Sequence, residues 1–273
     1  ETGGKKIGYI MYNAFTNEFD EQLNTAFGEF KSAGVTELVL DLRYNPGGSV
    51  NSARLLSSMI YGTYTNSVFL KARYNDKLQS EFKDADLIEY FADATDNNTP
   101  INTLGLNKVY IIATGSSASA SELVMNGLDP YINVIHIGTT TTGKNEFSVT
   151  FVDDLENGNV YDPDREDKIN PDNHWAIQPL IGRNENANGF SEYTNGLAPD
   201  ISLSEDLSNL GILGNMDEPL LAKAIAEITG TTAKMDFTVD MPVKLISSSK
   251  MFTKIKDNMF MDIKKPLNLT KKQ

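Results

Sequence analysis

The chain has 273 residues, 40% of them apolar, a formal net charge of −13, a pI near 4.6 and no cysteine. That length fits one large core, or one core with a small appendage. The acid excess argues against nucleic acid and anionic membrane surfaces as partners. The missing cysteines exclude a disulfide framework, thiol catalysis and Cys-based metal sites.

No apolar run approaches the roughly 18 residues needed to span a membrane. The charge is unevenly spread: residues 243–273 hold eight lysines and two aspartates, a surplus of six positive charges, which leaves −19 on the remainder. This basic stretch reads as a solvated edge. The chain opens on Gly3-Gly4-Lys5-Lys6 and passes directly into a strand, which reads as the start of an excised fragment.

Taken in order, Ile7 to Asn13 reads as a strand. Asn17 to Ala33 reads as an amphipathic helix with Phe19, Leu23, Phe27 and Phe30 on one stripe. Glu37 to Asp41 is a buried strand, Ser49 to Tyr61 a helix, and Val68 to Tyr74 an alternating strand. Residues 76–104 are polar, with one short helical pattern from Leu78 to Phe91. Val109 to Ala113 is a buried strand, Ala118 to Leu128 a helix and Val134 to Gly138 a strand. Trp175 to Pro179 resumes a strand pattern, and Asn184 to Tyr193 is a turn-rich connection. This βαβ rhythm implies an α/β fold with a mostly parallel twisted sheet flanked by helices, carrying β-rich insertions. In such sheets the site lies beyond the carboxyl ends of the strands.

Residues 152–173 are rich in acid: Asp153, Asp154, Glu156, Asp162, Asp164, Glu166 and Asp167. A calcium loop needs glycine at the sixth position from its first ligand, and Asp167 stands there instead. The stretch therefore reads as a solvated loop. No metal or other cofactor is expected.

Two segments carry chemistry. At Thr114-Gly115-Ser116-Ser117-Ala118-Ser119-Ala120-Ser121-Glu122 a run of small residues opens a helix, and Lys144 follows Ser119 by 25 positions. A serine hydroxyl needs a base to become a nucleophile. The two histidines, His136 and His174, lie in no triad context and read as structural. A buried lysine can take that part when its pKa falls towards neutrality, so the pattern points to a Ser-Lys hydrolase. Composition alone does not separate Ser116, Ser117, Ser119 and Ser121, since each also suits a helix N-cap. Upstream, Asp41-Leu42-Arg43-Tyr44-Asn45-Pro46-Gly47-Gly48 joins a strand to a helix N-terminus. Paired glycines there leave backbone N–H groups bare, which suits an oxyanion. Asp41 and Arg43 are expected to hold the turn by hydrogen bonds.

These blocks resemble the C-terminal processing peptidases, also called tail-specific proteases. Further matches are Lys6-Ile7-Gly8-Tyr9-Ile10, Asn195-Gly196-Leu197-Ala198-Pro199-Asp200 and the closing segment Asp217-Glu218-Pro219-Leu220-Leu221-Ala222-Lys223-Ala224, spread over residues 5–229. The resemblance implies a serine endopeptidase with a ClpP/crotonase-like core. It implies Ser119 as nucleophile, Lys144 as general base, Glu122 as a supporting carboxylate, and an oxyanion hole from the amides of Gly47 or Gly48 and of Ala120. Glu122 lies one helical turn from Ser119, where it could orient Lys144. The family's acidic residue before the lysine is replaced here by Gly138-Thr139-Thr140-Thr141-Thr142-Gly143-Lys144.

The resemblance further implies a peptidase core over 1–230, a C-terminal extension over 231–273, a PDZ-type domain ahead of residue 1, protein or peptide substrates, and a periplasmic or cell-envelope location. Two rival readings are an inactive module that binds protein tails and an ester or thioester hydrolase using the same oxyanion geometry.

Overall fold

Strands that are apolar at nearly every position need cover on both faces. The computed structural model describes residues 1–231 and 259–263. Its first half runs β1 (Ile7–Met11), α1 (Asp20–Ala33), β2 (Glu37–Asp41), α2 (Val50–Ile60), β3 (Val68–Tyr74), α3 (Asp76–Gln79) and β4 (Ile88–Tyr90). The second half runs β5 (Lys108–Ala113), α4 (Ala120–Leu128), β6 (Asn133–Gly138), β7 (Glu146–Ser148), β8 (Leu180–Glu185), β9 (Ile201–Ser202) and α5 (Pro219–Thr229).

Five strands form a wholly parallel sheet in the order β1-β2-β5-β6-β9. Alternation along each strand sorts its side chains onto two faces. Leu38, Leu40, Val109, Ile111 and Ala113 join the larger core, with Leu23 and Phe27 of α1, Leu55, Leu56 and Met59 of α2, and Leu123 and Leu128 of α4. Val39, Tyr110, Ile112 and Ile137 point the other way, onto Leu220, Leu221, Ala224 and Ile228 of α5. Each leucine, isoleucine, valine, phenylalanine or methionine among them contributes roughly 1.5–3 kcal/mol by leaving water. The sheet is thus the middle layer between two helical layers, which fixes where its carboxyl edge opens.

A second, antiparallel sheet in the order β4-β3-β8-β7 supplies the β-rich insertion. It meets α4 at Gly127, where a Cβ would come within 2.4 Å of the Phe69 ring. Residues 259–263 form a further extended piece that bridges Ser49 on one side and Ser148 on the other. The rest of the expected C-terminal extension, with all of its lysines, lies outside the described residues.

Three local expectations are corrected. Phe19 is half exposed (51%) and belongs to a single 3-10 turn (Asn17–Phe19), so the apolar stripe of α1 begins at Leu23. The helical pattern from Leu78 to Phe91 divides into the end of α3, a 3-10 turn at Asp84–Leu87 and β4. Polar side chains there take amides that a longer helix would use, as Asn75 Oδ1 accepts from Lys77 and Leu78, and Asp86 Oδ2 from Lys83. The Trp175 to Pro179 stretch pairs only at Ile177, with Phe151. The strand starts after Pro179, which has no N–H to offer a ladder, and Trp175 is exposed.

Candidate active site

β2 and β5 are neighbours in the sheet, so the loops leaving their carboxyl ends meet. The first loop carries Gly47 and Gly48, the second Ser119. Both glycines have positive φ, +107° and +137°. A Cβ on Gly48 would sit 2.1 Å from the Phe15 carbonyl, and one on Gly47 would sit 2.6 Å from the Ser119 Cβ and 2.9 Å from the Ala120 nitrogen. Only glycine allows the first loop to lie this close to the start of α4.

Ser119 itself has φ 64° and ψ −115°. For a residue with a Cβ this region costs on the order of 1–3 kcal/mol and persists only where neighbours over-determine it. They do so here. The Ala118 amide donates to the Asn45 carbonyl (3.1 Å), the Ser121 hydroxyl donates to the same carbonyl (2.9 Å), and the Ser119 amide donates to Glu122 Oε2 (2.7 Å). The four serines differ in what their hydroxyls do. Ser116 is exposed, and Ser117 accepts from the Thr114 amide and donates to the Leu42 carbonyl (2.7 Å). The Ser119 Oγ is buried and makes no hydrogen bond with a described residue.

The backbone amides of the site divide in the same way. Gly47 N–H donates to Asn45 Oδ1 (2.9 Å), whereas Gly48 N–H and Ala120 N–H have no acceptor among the described residues. The last is expected, since the first amides of a helix lack intrahelical partners.

Glu122 is fully buried and ties the nucleophile loop to the lysine loop. Besides the Ser119 amide, its carboxylate accepts from the Gly143 amide (2.6 Å), the Lys144 amide (2.9 Å) and the Thr141 hydroxyl (2.5 Å). Burial pushes its pKa above the usual glutamate value, and these donors only partly offset that. Lys144 is half buried, and its loop is fastened further by Thr142, whose amide donates to the Ser117 carbonyl and whose hydroxyl donates to the Gly115 carbonyl. Glu122 is therefore an interior carboxylate. The Lys144 main chain is among the groups it holds. Thr141 and Asn45 hold the site together without having stood out in the sequence. One is hidden in a run of four threonines, the other beside a glycine pair that drew the attention.

Asp41 and Arg43 do hold the turn. Arg43 is buried and donates to Asp41 through Nε and Nη2, and to Glu218 through Nη1 (2.8 Å) and Nη2 (2.9 Å), while Nη1 also reaches Glu205 (3.3 Å). Glu218 caps α5 by accepting from the Leu221 amide (2.8 Å). Burial raises the Glu218 pKa, but Arg43 and the α5 amides outweigh it and hold the carboxyl below its ordinary value. The partners Glu205 and Glu218 lie more than 160 positions away, so no local pattern marks them.

His136 is buried in β6, with Nε2 3.2 Å from the Ala113 carbonyl and its amide on Asp200 Oδ2, and burial lowers its pKa. Its Nδ1 has no partner among the described residues. His174 is exposed on a loop. In the acidic loop Arg165 clamps both oxygens of Asp154 (2.9 and 3.1 Å) and reaches Glu156.

A family model described as Peptidase family S41 matches residues 6–202. Among curated relatives, a CtpA-like serine protease of Staphylococcus aureus strain COL is 26% identical over 170 residues, 62% of this chain and 31% of that protein. A Staphylococcus epidermidis protein of the same description is 24% identical over 198 residues, 72% of this chain and 34% of its own length. The chain therefore spans about a third of the length of these curated relatives. The crystal structure of an S41 protease from Bacteroides fragilis superposes with a TM-score of 0.68 at 31% identity, covering 83% of this chain and 55% of that one. The photosystem II D1 C-terminal processing protease has the same fold, with a TM-score of 0.50 at 20% identity over 80% of this chain and 47% of its own.

Proposed function

The chain belongs to peptidase family S41, and from that premise we propose that it is a serine endopeptidase working through Ser119 and Lys144. The observation that carries this reading is the state of Ser119: a strained turn holds a buried hydroxyl, unengaged by any described residue, against a glycine loop beside two amides without acceptors. Strain at a turn between a strand and a helix is a recognised way of presenting a nucleophile.

In the reaction, the Ser119 Oγ attacks the carbonyl carbon of the scissile peptide bond while its proton passes to a neutral Lys144 Nζ. The tetrahedral oxyanion is received by the amides of Gly48 and Ala120, each donor being worth about 10²–10³ in rate. Gly47 N–H, already bonded to Asn45, fixes the turn and is not the donor. Collapse breaks the C–N bond, and Lys144 returns the proton to the leaving amine. Water then attacks the ester on Ser119, gives its proton to Lys144, and releases the acid. Glu122 is a positioning residue: it sets the Ser119 and Lys144 main chains at a fixed separation.

The description of the D1 processing protease supports cleavage near protein C-termini as the reaction to test first. No helix among the described residues is long and apolar enough to cross a membrane. A periplasmic or cell-envelope location is proposed from the family likeness alone.

The test is digestion of an unfolded protein by the parent, Ser119→Ala and Lys144→Ala, read by mass spectrometry. Cleavage by the parent and by neither variant is expected. Equal cleavage by all three would sink the dyad.

A further inference from the structure

A peptide substrate of such a site must run in extended form past the glycine turn, and one extended segment already lies between that turn and β7. On one side of residues 259–263, the Phe260 amide donates to the Gly48 carbonyl (3.2 Å) and the Val50 amide donates to the Phe260 carbonyl (3.0 Å). On the other side, the Ser148 amide donates to the Met259 carbonyl (2.8 Å) and the Met261 amide to the Ser148 carbonyl (3.0 Å). The Ser148 hydroxyl adds a bond to the Met259 carbonyl at 3.1 Å. Met259 and Ile263 are buried in the larger core and anchor the two ends.

The walls of this slot continue along the chain from the loops of the candidate active site. Gly48 follows Gly47, which lies against Ser119, and Ser148 is four residues beyond Lys144 in β7. Main-chain bonds on both sides are the means by which a sheet edge takes up an extended peptide of any sequence, with selectivity left to the side-chain pockets. A tethered segment has the advantage of high effective concentration over a free peptide with the same contacts. Ser119, Gly47 and Gly48 are all buried in the state in which the slot is filled.

We propose that the slot between Val50 and Ser148 is the groove for extended substrate peptides, and that residues 259–263 occupy it in cis as an internal competitor. The inference rests on the peptidase reading of the same site. Its ligand class is an extended peptide with apolar side chains four positions apart, as Met259 and Ile263 are. Release of the segment frees five slot bonds, made by Gly48, Val50 and Ser148, for an incoming chain.

The experiment compares the full chain with its Met259→Asp/Ile263→Asp variant, which removes both anchors. Binding of a fluorescein-labelled Met-Phe-Met-Asp-Ile peptide is followed by anisotropy in the Ser119→Ala background, and turnover of a quenched fluorescent peptide is followed with Ser119 present. The double variant is expected to bind the pentapeptide at least tenfold more tightly than the parent, and to turn over substrate at least tenfold faster. A folded variant that gains no affinity overturns the proposal. Binding without turnover in any form keeps the slot and removes the peptidase reading. If the double variant does not fold, hydrogen exchange on the parent decides. With excess pentapeptide, the Phe260 and Met261 amides should lose protection while those of Val50 and Ser148 keep it. Unchanged protection at Phe260 and Met261 overturns the proposal.

Discussion

Two buried polar nodes stand at the carboxyl ends of neighbouring strands, and they are compensated in opposite ways. Around Arg43, a guanidinium is surrounded by the carboxylates of Asp41, Glu205 and Glu218. Around Glu122, a carboxylate collects three amides and one hydroxyl, all neutral donors. Arg43, helped by the α5 amides, holds the Glu218 carboxyl below its ordinary pKa against burial, whereas neutral donors alone leave burial dominant at Glu122. The geometric difference matches. The Arg43 node joins elements far apart in sequence, the end of β2 and the start of α5, and so fastens the fold. The Glu122 node joins two short loops whose separation the proposed reaction depends on, and three of its four donors are backbone amides.

The largest effect should come from breaking the charge node. Arg43→Met leaves Asp41 and Glu218 buried without a cation, and removal of one partner of a buried pair typically costs about 3–5 kcal/mol. Denaturant unfolding should show this loss, with activity per folded molecule kept within a few fold. The same node sets the acid limit. Because the folded Glu218 pKa is lowered, its contribution is present above the unfolded glutamate value and is lost as pH falls through the folded one. Glu218→Gln should therefore flatten the fall in stability below about pH 4.

Glu122→Gln should be milder in stability and harsher in rate. The amide keeps one acceptor oxygen but turns an NH2 towards amides, at a cost of about 1–3 kcal/mol for an unmatched buried donor. Two of the four tethers lost should lower kcat by roughly 10–100-fold through mispositioning, with KM little changed. A fall in stability with kcat untouched would make the node merely structural and erase the contrast with Arg43.

The sequence made the parallel sheet legible because apolar runs and glycine turns are local signals. β2 and β3 match their expected limits to the residue, and Gly47, Gly48 and Ser119 come together as their spacing after β2 and β5 implies. What was not legible depends on partners distant in sequence. Nothing near Arg43 announces Glu218, and nothing in Met259 to Ile263 announces that it will pair with Ser49 and Ser148. The miss at Phe19 has another cause: periodicity places a residue on a helix face but does not say where the first turn tightens to 3-10. Among the serines, the distinction lies in which hydroxyls are already bonded, a property that appears only once Leu42 and Asn45 are brought alongside.

A third buried acid has neither kind of compensation. Asp20, the first residue of α1, accepts one hydroxyl, from Ser52 at 3.0 Å, and its Oδ1 has no partner among the described residues. Burial pushes its pKa up to about 7, and the nearby Asp96 and Glu21 add to the rise, while the Ser52 bond opposes it. The unfolded chain releases this proton near pH 4, so between about pH 4 and 7 the folded state holds more protons than the unfolded one. Stability is then fully present below pH 4 and is lost as pH rises towards 7. Asp20→Asn keeps an oxygen for Ser52 and removes the charge. It should match the parent at pH 4 and exceed it at pH 8 by on the order of 1–3 kcal/mol, since the helix N-terminus returns part of the penalty to the carboxylate. Urea midpoints at pH 4, 6 and 8 read this directly. A parent as stable as the variant at pH 8 would mean that the α1 amides compensate Asp20 as fully as Arg43 compensates Glu218, so that a cation is not what separates the two nodes.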